Sequence, residues 1–118
     1  MFRITKEFHF SASHHLVGLP EGHQCARMHG HNYIVVVELA AETLTGAGFV
    51  RDYHDLGPLK AYIDDELDHR HLNDVLGDDR VSTECVAKHL FDWCAARWPE
   101  VAAVRVSETP KTWAEYRP

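Results

Sequence analysis

The sequence predicts an α+β domain in which one antiparallel sheet carries two helices on one face. Apolar and polar residues alternate along two N-terminal and two C-terminal segments, whereas apolar residues recur every three or four positions in two central segments. The resulting order, β-β-α-α-β-β, places a helical pair between two strand pairs and favours an antiparallel sheet. The length of 118 residues suits one domain, which we expect to span residues 1–118.

The two N-terminal strands follow from a period of two. Residues 2–11 form the first strand, whose apolar face carries Phe2, Ile4, Phe8 and Phe10. Residues 17–28 contain two glycines and a proline and are predicted to be a loop. A second strand runs from about His29 to Ala41, because its β-branched run fits a pleated, half-buried surface.

The two helices follow from a change of period. The first apolar stripe is formed by Leu56, Leu59, Ile63 and Leu67. Pro58 is compatible with this helix because it falls in the first turn. Ser82 or Thr83 is expected to cap the second helix, which runs to about Trp98 and ends before Pro99. The second stripe is formed by Val86, Leu90, Trp93 and Cys94.

The remaining segments are predicted as follows. Residues 49–51 add a short edge strand, and the polar stretch 68–79 separates the two helices as a loop. Residues 101–108 alternate again and form the third long strand. After a turn, residues 113–116 form the last strand.

Composition and charge exclude several classes of partner. Twelve Lys and Arg against eighteen Asp and Glu give a net charge of −6, which argues against nucleic acid or an anionic membrane as the main partner. No apolar run has the roughly 18 residues of a membrane helix, and the N-terminus lacks the pattern of a signal peptide. The three cysteines are an odd number without framework spacing, so we expect a reducing cytoplasm.

The motif His29-Gly30-His31 predicts a metal site. Strand residues two apart project from the same face, roughly 6.5–7 Å apart, so their imidazoles can converge on one ion. A third histidine, His14 or His15, ends the first strand, which we expect to pair with the second. Three nitrogens with an open fourth position are typical of catalytic zinc, whereas structural zinc takes four closing ligands.

Cys25 is a candidate catalytic thiol. It lies in a polar loop four residues before His29 and close to Arg27, and both a metal and a cation favour the thiolate. A free cysteine is more often a small buried apolar residue, and we expect that role for Cys85 and Cys94 within the second helix.

Two further motifs carry little information alone. Asp68-His69 follows the first helix, where a carboxylate could hold an imidazole in one tautomer for proton transfer. Such a dipeptide also arises by chance in solvated loops. Glu108 ends the third strand, and a lone glutamate at that position is usually exposed to solvent.

Taken together, these motifs resemble one family, the 6-pyruvoyltetrahydropterin synthases and 6-carboxytetrahydropterin synthases. The resemblance covers nearly the whole chain in the same order. The matching segments are FHFSASH at 8–14, CARMHGH at 25–31, VRDY at 50–53 with Leu56 and Lys60, LDH at 67–69 with LN at 72–73, STE at 82–84 and SET at 107–109.

The resemblance implies a metal set and a catalytic set. The implied zinc ligands are His14, His29 and His31. The implied catalytic base is Cys25, and Asp68 and His69 complete its proton-relay triad. The cofactor that the resemblance implies is therefore a single Zn²⁺ ion.

The resemblance also implies a binding site for a pterin triphosphate. Glu108 is similar to the carboxylate that anchors the amino-pyrimidine edge, since it can accept hydrogen bonds from an amine and an adjacent ring nitrogen. Ser82 and Thr83 assist it, and Glu84 belongs to the same segment. The triphosphate needs a local cationic patch in a chain of charge −6, and the candidates are Arg27, Lys60, Arg70 and Lys111.

The fold and assembly implied by the resemblance are those of the tunnelling fold, or T-fold. Its β-β-α-α-β-β subunits close into a trimeric barrel, usually stacked as a homohexamer with sites between subunits. This assembly would cover the edges of an open four-stranded sheet. It would also allow Glu108 to serve a pocket that holds a neighbouring chain's zinc.

The spacing before the second strand favours one branch of the family. Three residues separate Cys25 from His29, as in the 6-carboxy-forming bacterial enzymes of 7-deazapurine and queuosine synthesis, whereas pyruvoyl-forming members usually have five. The expected activity is a lyase reaction on 7,8-dihydroneopterin triphosphate that gives 6-carboxytetrahydropterin, acetaldehyde and triphosphate. The alternatives are the pyruvoyl-forming reaction, which only eliminates triphosphate, and a catalytically silent pterin- or metal-binding module.

Overall fold

A four-stranded antiparallel sheet in chain order, β1-β2-β3-β4, organises the molecule. The computed structural model describes residues 1–118. Its strands are β1 (Phe2–His14), β2 (His29–Ala41), β3 (Val101–Thr109) and β4 (Thr112–Tyr116). Its helices are α1 (Gly57–Tyr62), α2 (Leu72–Leu76) and α3 (Thr83–Ala95). The predicted α+β class with an antiparallel sheet is confirmed.

The two long strands, β1 and β2, set the geometry of everything that follows. They pair over 13 residues each, with Phe8 opposite Val35 and His14 opposite His29. Even-numbered residues of β1 and odd-numbered residues of β2 therefore share one face of the sheet. Most of that face is apolar and is covered by the helices, but at one end it carries histidines.

The core lies between this face and the helices. Twenty-two buried residues form one apolar cluster, and the predicted stripe of the first helix belongs to it, with Leu56 and Leu59 fully buried. Burying each such side chain contributes about 1.5–3 kcal/mol. Pro58 lies at the start of α1, where its missing N–H costs nothing.

A wide helical turn, Ile63–Leu67, continues α1 and ends it. The amide of Asp68 donates to the carbonyl of Ile63 at 2.8 Å, five residues back, which is the bond of a π-type turn. The chain then leaves the helix extended at Asp68. This turn delivers Asp68 and the residue after it to the outer edge of β1.

Two predictions about irregular segments are wrong. Residues 49–51 form no strand, and Val50 and Arg51 lie in a bend in which Arg51 pairs with Glu100 at 3.0 Å. The stretch 68–79 is not all loop, since α2 forms within it. Leu72 is fully buried and anchors this short helix to the core, a tertiary contact that its polar neighbours conceal.

The ends of the remaining elements differ by a few residues from the predicted ones. The first strand extends to His14, three residues beyond the predicted end. Ser82 is the N-cap of α3, and its hydroxyl accepts from the amide of Cys85 at 3.2 Å. This helix ends at Ala95, and Trp98 is buried in the turn that follows. None of the helices is long and apolar enough to cross a lipid bilayer.

Candidate functional site

Three imidazoles converge at the end of the helix-covered face. His14 and His29 are directly opposite each other in the β1–β2 register, and His31 follows on the same face, two residues along β2. One nitrogen from each ring lies within 4.8 Å of the others. The sequence alone did not decide whether the third histidine is His14 or His15. The structure selects His14, because the ring of His15 instead bonds His71 at 3.0 Å.

Backbone carbonyls fix the tautomers of two of these rings. The Nδ1–H of His14 donates to the carbonyl of Val81 at 2.6 Å, and the Nδ1–H of His29 donates to the carbonyl of Arg27 at 2.7 Å. A carbonyl oxygen can only accept, so both protons must be on Nδ1 and both Nε2 atoms are available as ligands. Partners of this kind orient histidines in metal sites.

The two Nε2 atoms lie only 2.9 Å apart. Burial lowers the pKa of His14, although the Val81 carbonyl acts in the opposite direction, so the ring is neutral near pH 7. Its Nε2 lone pair faces the second nitrogen, and the contact is favourable only with a cation between the rings. Convergence of a third imidazole favours a metal ion over a single proton.

Glu108 joins this cluster. Its Oε2 lies 3.7 Å from Nε2 of His14 and 3.6 Å from Nε2 of His31. The resemblance would allow this carboxylate to serve a neighbouring chain's zinc, and within one chain it lies beside the chain's own imidazoles. The β2–β3 pairing explains this position, since Glu108 lies one residue beyond the Ile34–Ser107 pair and on the histidine face.

Tyr33 is a member of the site that sequence reasoning missed. It is fully buried, and its hydroxyl, Nε2 of His31 and Oε2 of Glu108 are all buried without a hydrogen-bond partner. Burial, and next the negative charge of Glu108, raise the pKa of the Tyr33 phenol. The signal was present, because Tyr33 continues the two-residue spacing of His29 and His31. Orphaned polar atoms at one place indicate a bound ion or ligand.

An open cavity of about 720 Å³ adjoins the cluster. His31, Asp68 and Glu108 contribute to its lining, together with Ser107 and Asn32. A second cavity of about 450 Å³ is also bordered by His31 and by Asn32, and there Arg70 and His69 contribute. The polar cavities next to the candidate site can therefore accommodate a small molecule.

Asp68 and His69 form a hydrogen-bonded pair at the outer edge of β1. Oδ1 of Asp68 accepts from the amide of Ser11 at 2.8 Å, and Oδ2 lies 2.7 Å from Nδ1 of His69. The Ser11 amide, and next the His69 ring, hold the pKa of Asp68 below its usual range. The ionised carboxylate keeps the proton of His69 on Nδ1, which leaves Nε2 as a proton acceptor.

His69 is also the one non-glycine residue with a positive φ, 59°. Its amide donates to the carbonyl of Ser11 at 2.6 Å, which holds the residue in this left-handed conformation. We expect His69→Gly to be more stable than His69→Ala by about 1 kcal/mol, since glycine alone adopts this φ freely. Urea denaturation of the two variants measures the difference. Equal stabilities would show that the backbone relaxes and that no strain is held there.

Cys25 lies apart from this pair. It is half-buried in a short 3₁₀ turn, Gln24–Ala26, with its carbonyl accepting from the amide of Leu16 at 2.9 Å. Its thiol makes no hydrogen bond to Asp68 or His69 of the same chain. One chain therefore does not assemble the predicted triad.

The other two cysteines are free and lie on α3. Cys94 is buried in the core, and burial raises the pKa of its thiol to about 12. Cys85 is half-buried. Neither of them lines the cavities beside the histidine cluster.

The remaining predicted binding residues are dispersed within one chain. Ser82 caps α3, Thr83 begins that helix and Glu84 is exposed in its first turn. None of them lines the cavity that Glu108 borders. Arg27 is exposed and reaches the site through its backbone carbonyl.

The three other cations proposed for the triphosphate differ in position. Lys60 is paired with Asp64 at 2.5 Å on the exposed side of α1. Lys111 is exposed in the β3–β4 turn. Arg70 borders the second cavity together with His31, and one of its guanidinium nitrogens donates to the carbonyl of Asp65 at 3.1 Å.

Comparison with known proteins places this geometry in context. The family described as 6-pyruvoyl tetrahydropterin synthase matches residues 3–118. The 6-carboxy-5,6,7,8-tetrahydropterin synthase of Bacillus subtilis is 35% identical over 129 residues, covering 99% of this chain and 86% of that protein. The protein of the same name from Synechocystis is 38% identical, with 98% and 93% covered.

Solved structures agree with this similarity. The 6-pyruvoyl tetrahydropterin synthase of Caenorhabditis elegans superposes with a TM-score of 0.86 at 26% identity, covering 99% of this chain and 95% of that one. The four-stranded antiparallel sheet with its helices is thus the T-fold that the sequence resemblance implies.

Proposed function

The chain belongs to the 6-pyruvoyl tetrahydropterin synthase family, and from that premise we propose that it is a zinc-dependent 6-carboxy-5,6,7,8-tetrahydropterin synthase. The reaction takes 7,8-dihydroneopterin triphosphate and water to 6-carboxytetrahydropterin, acetaldehyde and triphosphate. The observation that carries the proposal is the pair of Nε2 atoms 2.9 Å apart, both with their Nδ1 protons held by carbonyls. Such a pair supports a metal-binding enzyme within this family.

The residues present fit a zinc ion. His14, His29 and His31 would hold it through neutral imidazole nitrogens, the donors that Zn²⁺ prefers alongside thiolates and carboxylates. The unpartnered Nε2 of His31 and Oε2 of Glu108 support this fit. When bound, zinc acts as a Lewis acid that makes a coordinated side-chain hydroxyl, and the carbon–hydrogen bond beside it, more acidic.

The protein's own residues would move the proton and hold the ring. The Cys25 thiolate takes the proton from the side-chain carbon of the pterin. His69, with its tautomer held by Asp68, accepts and returns protons. Glu108 accepts hydrogen bonds from the amino-pyrimidine edge of the pterin. Ser82, Thr83 and Glu84 assist in binding this edge. The negatively charged triphosphate binds to Arg70 or Arg27.

We propose that the site is completed between subunits of a homohexamer. The thiol of Cys25 does not bond Asp68 or His69 of its own chain, which supports a triad shared by two chains. The two outer strands, β1 before Ser11 and β4, pair with no further strand on their outer edges, and each exposes a large apolar side chain, Phe2 and Trp113, both 51% accessible. Free edges of this kind favour closure with neighbouring subunits.

The physiological setting is part of the proposal. The carboxy-forming reaction would supply 7-deazapurine and queuosine synthesis, in which the pterin product is consumed. Three free thiols and an acidic chain support a cytoplasmic location.

A second candidate is the pyruvoyl-forming reaction, which uses the same residues and stops after eliminating triphosphate. The name of the Caenorhabditis elegans protein favours it. The three-residue spacing between Cys25 and His29 and the names of the two bacterial relatives favour the carboxy-forming reaction. A catalytically silent pterin-binding protein would have little need of Cys25, Asp68 and His69 together.

Mass-resolved product analysis tests these alternatives. The zinc-loaded protein is incubated with 7,8-dihydroneopterin triphosphate, and we expect 6-carboxytetrahydropterin and acetaldehyde in equal amounts. A pyruvoyl product would select the second candidate. Absence of turnover with zinc bound would point to a silent binding protein.

A further inference from the structure

We propose that Glu108 is the fourth ligand of the metal ion in the substrate-free protein. The inference rests on the proposed metal site of His14, His29 and His31. It concerns a role of Glu108 other than anchoring the pterin.

The spacing of the atoms supports this assignment. Nitrogen and oxygen ligands lie about 2.0–2.2 Å from zinc, so two ligands of one tetrahedral ion lie about 3.3–3.5 Å apart. Oε2 of Glu108 is 3.7 Å from Nε2 of His14 and 3.6 Å from Nε2 of His31. These separations need an adjustment of only a few tenths of an ångström, whereas a direct hydrogen bond would need about 2.9 Å.

The environment of the Glu108 carboxylate also supports its assignment as a metal ligand. Oε2 of Glu108 is buried and has no hydrogen-bond donor, and no lysine or arginine forms a salt bridge with this residue. A buried anion without a partner is costly. Nε2 of His14, 3.7 Å away, carries a lone pair because its proton is on Nδ1, and it gives the carboxylate no compensation. A divalent cation held between them compensates the carboxylate and this lone pair together.

The assignment gives the site a closed and an open state. With Glu108 bound, four protein ligands close the coordination sphere, as in structural zinc sites. The same carboxylate cannot bind the metal and the amino-pyrimidine edge through one oxygen, so pterin binding draws Glu108 away. The position that it leaves is then free for an oxygen of the substrate side chain. Substrate binding thereby opens the metal site that catalysis requires.

Metal binding by Glu108→Gln tests the resting ligand. Zinc affinity is measured by competition with a chelator, and visible absorption is recorded on the cobalt-substituted protein. We expect zinc affinity to fall at least about tenfold, since loss of a second-sphere partner already costs 10- to 100-fold, and the cobalt bands to change. The matched control is Glu42→Gln, which removes an exposed glutamate remote from the cluster and leaves both readouts unchanged.

A second measurement needs no variant. Unsubstituted pterin (2-amino-4-oxopteridine) has the amino-pyrimidine edge but lacks the side-chain hydroxyls. Added to the cobalt-substituted wild type, it should shift the bands toward those of Glu108→Gln. If both the variant and the pterin leave the cobalt spectrum and the affinity unchanged, Glu108 is not a ligand, while the proposed function stands. If the wild type binds no metal, both the inference and the proposed function fail.

Discussion

Replacing Cys25 with alanine is expected to lower kcat by 10²–10⁴-fold while zinc and pterin binding are retained. Cys25 is half-buried in a surface turn, and its hydrogen bonds within the chain are made by its backbone rather than by its sulfur. Its removal therefore leaves the metal cluster and the cavity intact. The expected loss is that of a positioned acid–base group, about 10²–10⁴ in rate. Steady-state turnover, with zinc content measured on the same sample, gives the result.

Cys85→Ala is the matched control for this prediction. Cys85 is also half-buried, but it lies on α3 and lines neither cavity beside the histidine cluster. We expect near-wild-type kcat from it. Near-wild-type turnover by Cys25→Ala would remove Cys25 from the mechanism, and loss of zinc from that variant would mean that the thiol supports the metal instead.

Replacing His31 with alanine is expected to weaken zinc binding by more than roughly 100-fold. A direct ligand should cost more than the 10- to 100-fold that second-sphere partners cost. His31 suits the experiment, because its side chain is 19% exposed and its Nε2 has no hydrogen-bond partner to lose. His14 suits it less, since its buried ring bonds the Val81 carbonyl and its removal would also disturb the fold. Equilibrium competition with a chelator measures the affinity.

Thermal unfolding supplies an independent readout for the same variant. Zinc in excess should raise the Tm of the wild type, because a ligand at 100 times its Kd stabilises the folded state by about 2.7 kcal/mol. We expect no such rise for His31→Ala. His54→Ala is the control, since that imidazole is fully exposed and remote from the cluster, and it should behave like the wild type. An unchanged zinc-dependent Tm in His31→Ala would exclude His31 as a ligand.

Local patterns were sufficient for the elements whose side chains repeat. The two-residue period of β1 and β2 and the apolar stripes of α1 and α3 predict those elements to within a few residues. The prediction failed where one contact outweighed local preference. Leu72 makes a helix in a polar stretch by entering the core, and Arg51 pairs with Glu100 in a bend where the sequence predicts a strand.

The candidate site divides in the same way. The spacing of His29 and His31 on one strand predicts convergence, since the two-residue period is a property of the strand itself. Choosing between His14 and its neighbour required the β1–β2 register, because a shift of one residue turns the other face inward. The carbonyl partners that set the ring tautomers come from distant or irregular backbone, which side-chain identity does not encode.

The sequence by itself determined the α+β class, the family resemblance and the residue types of a metal and pterin site. These properties depend on the periodicity of apolar residues and on short motifs in a fixed order, so they can be predicted from the sequence. Only the tertiary structure decided that Glu108 and Tyr33 meet the three imidazoles, and that Cys25 does not meet Asp68 within one chain. Both results depend on strand register and on the path of loops. Register and path are set by packing between residues far apart in sequence, where local patterns carry no information.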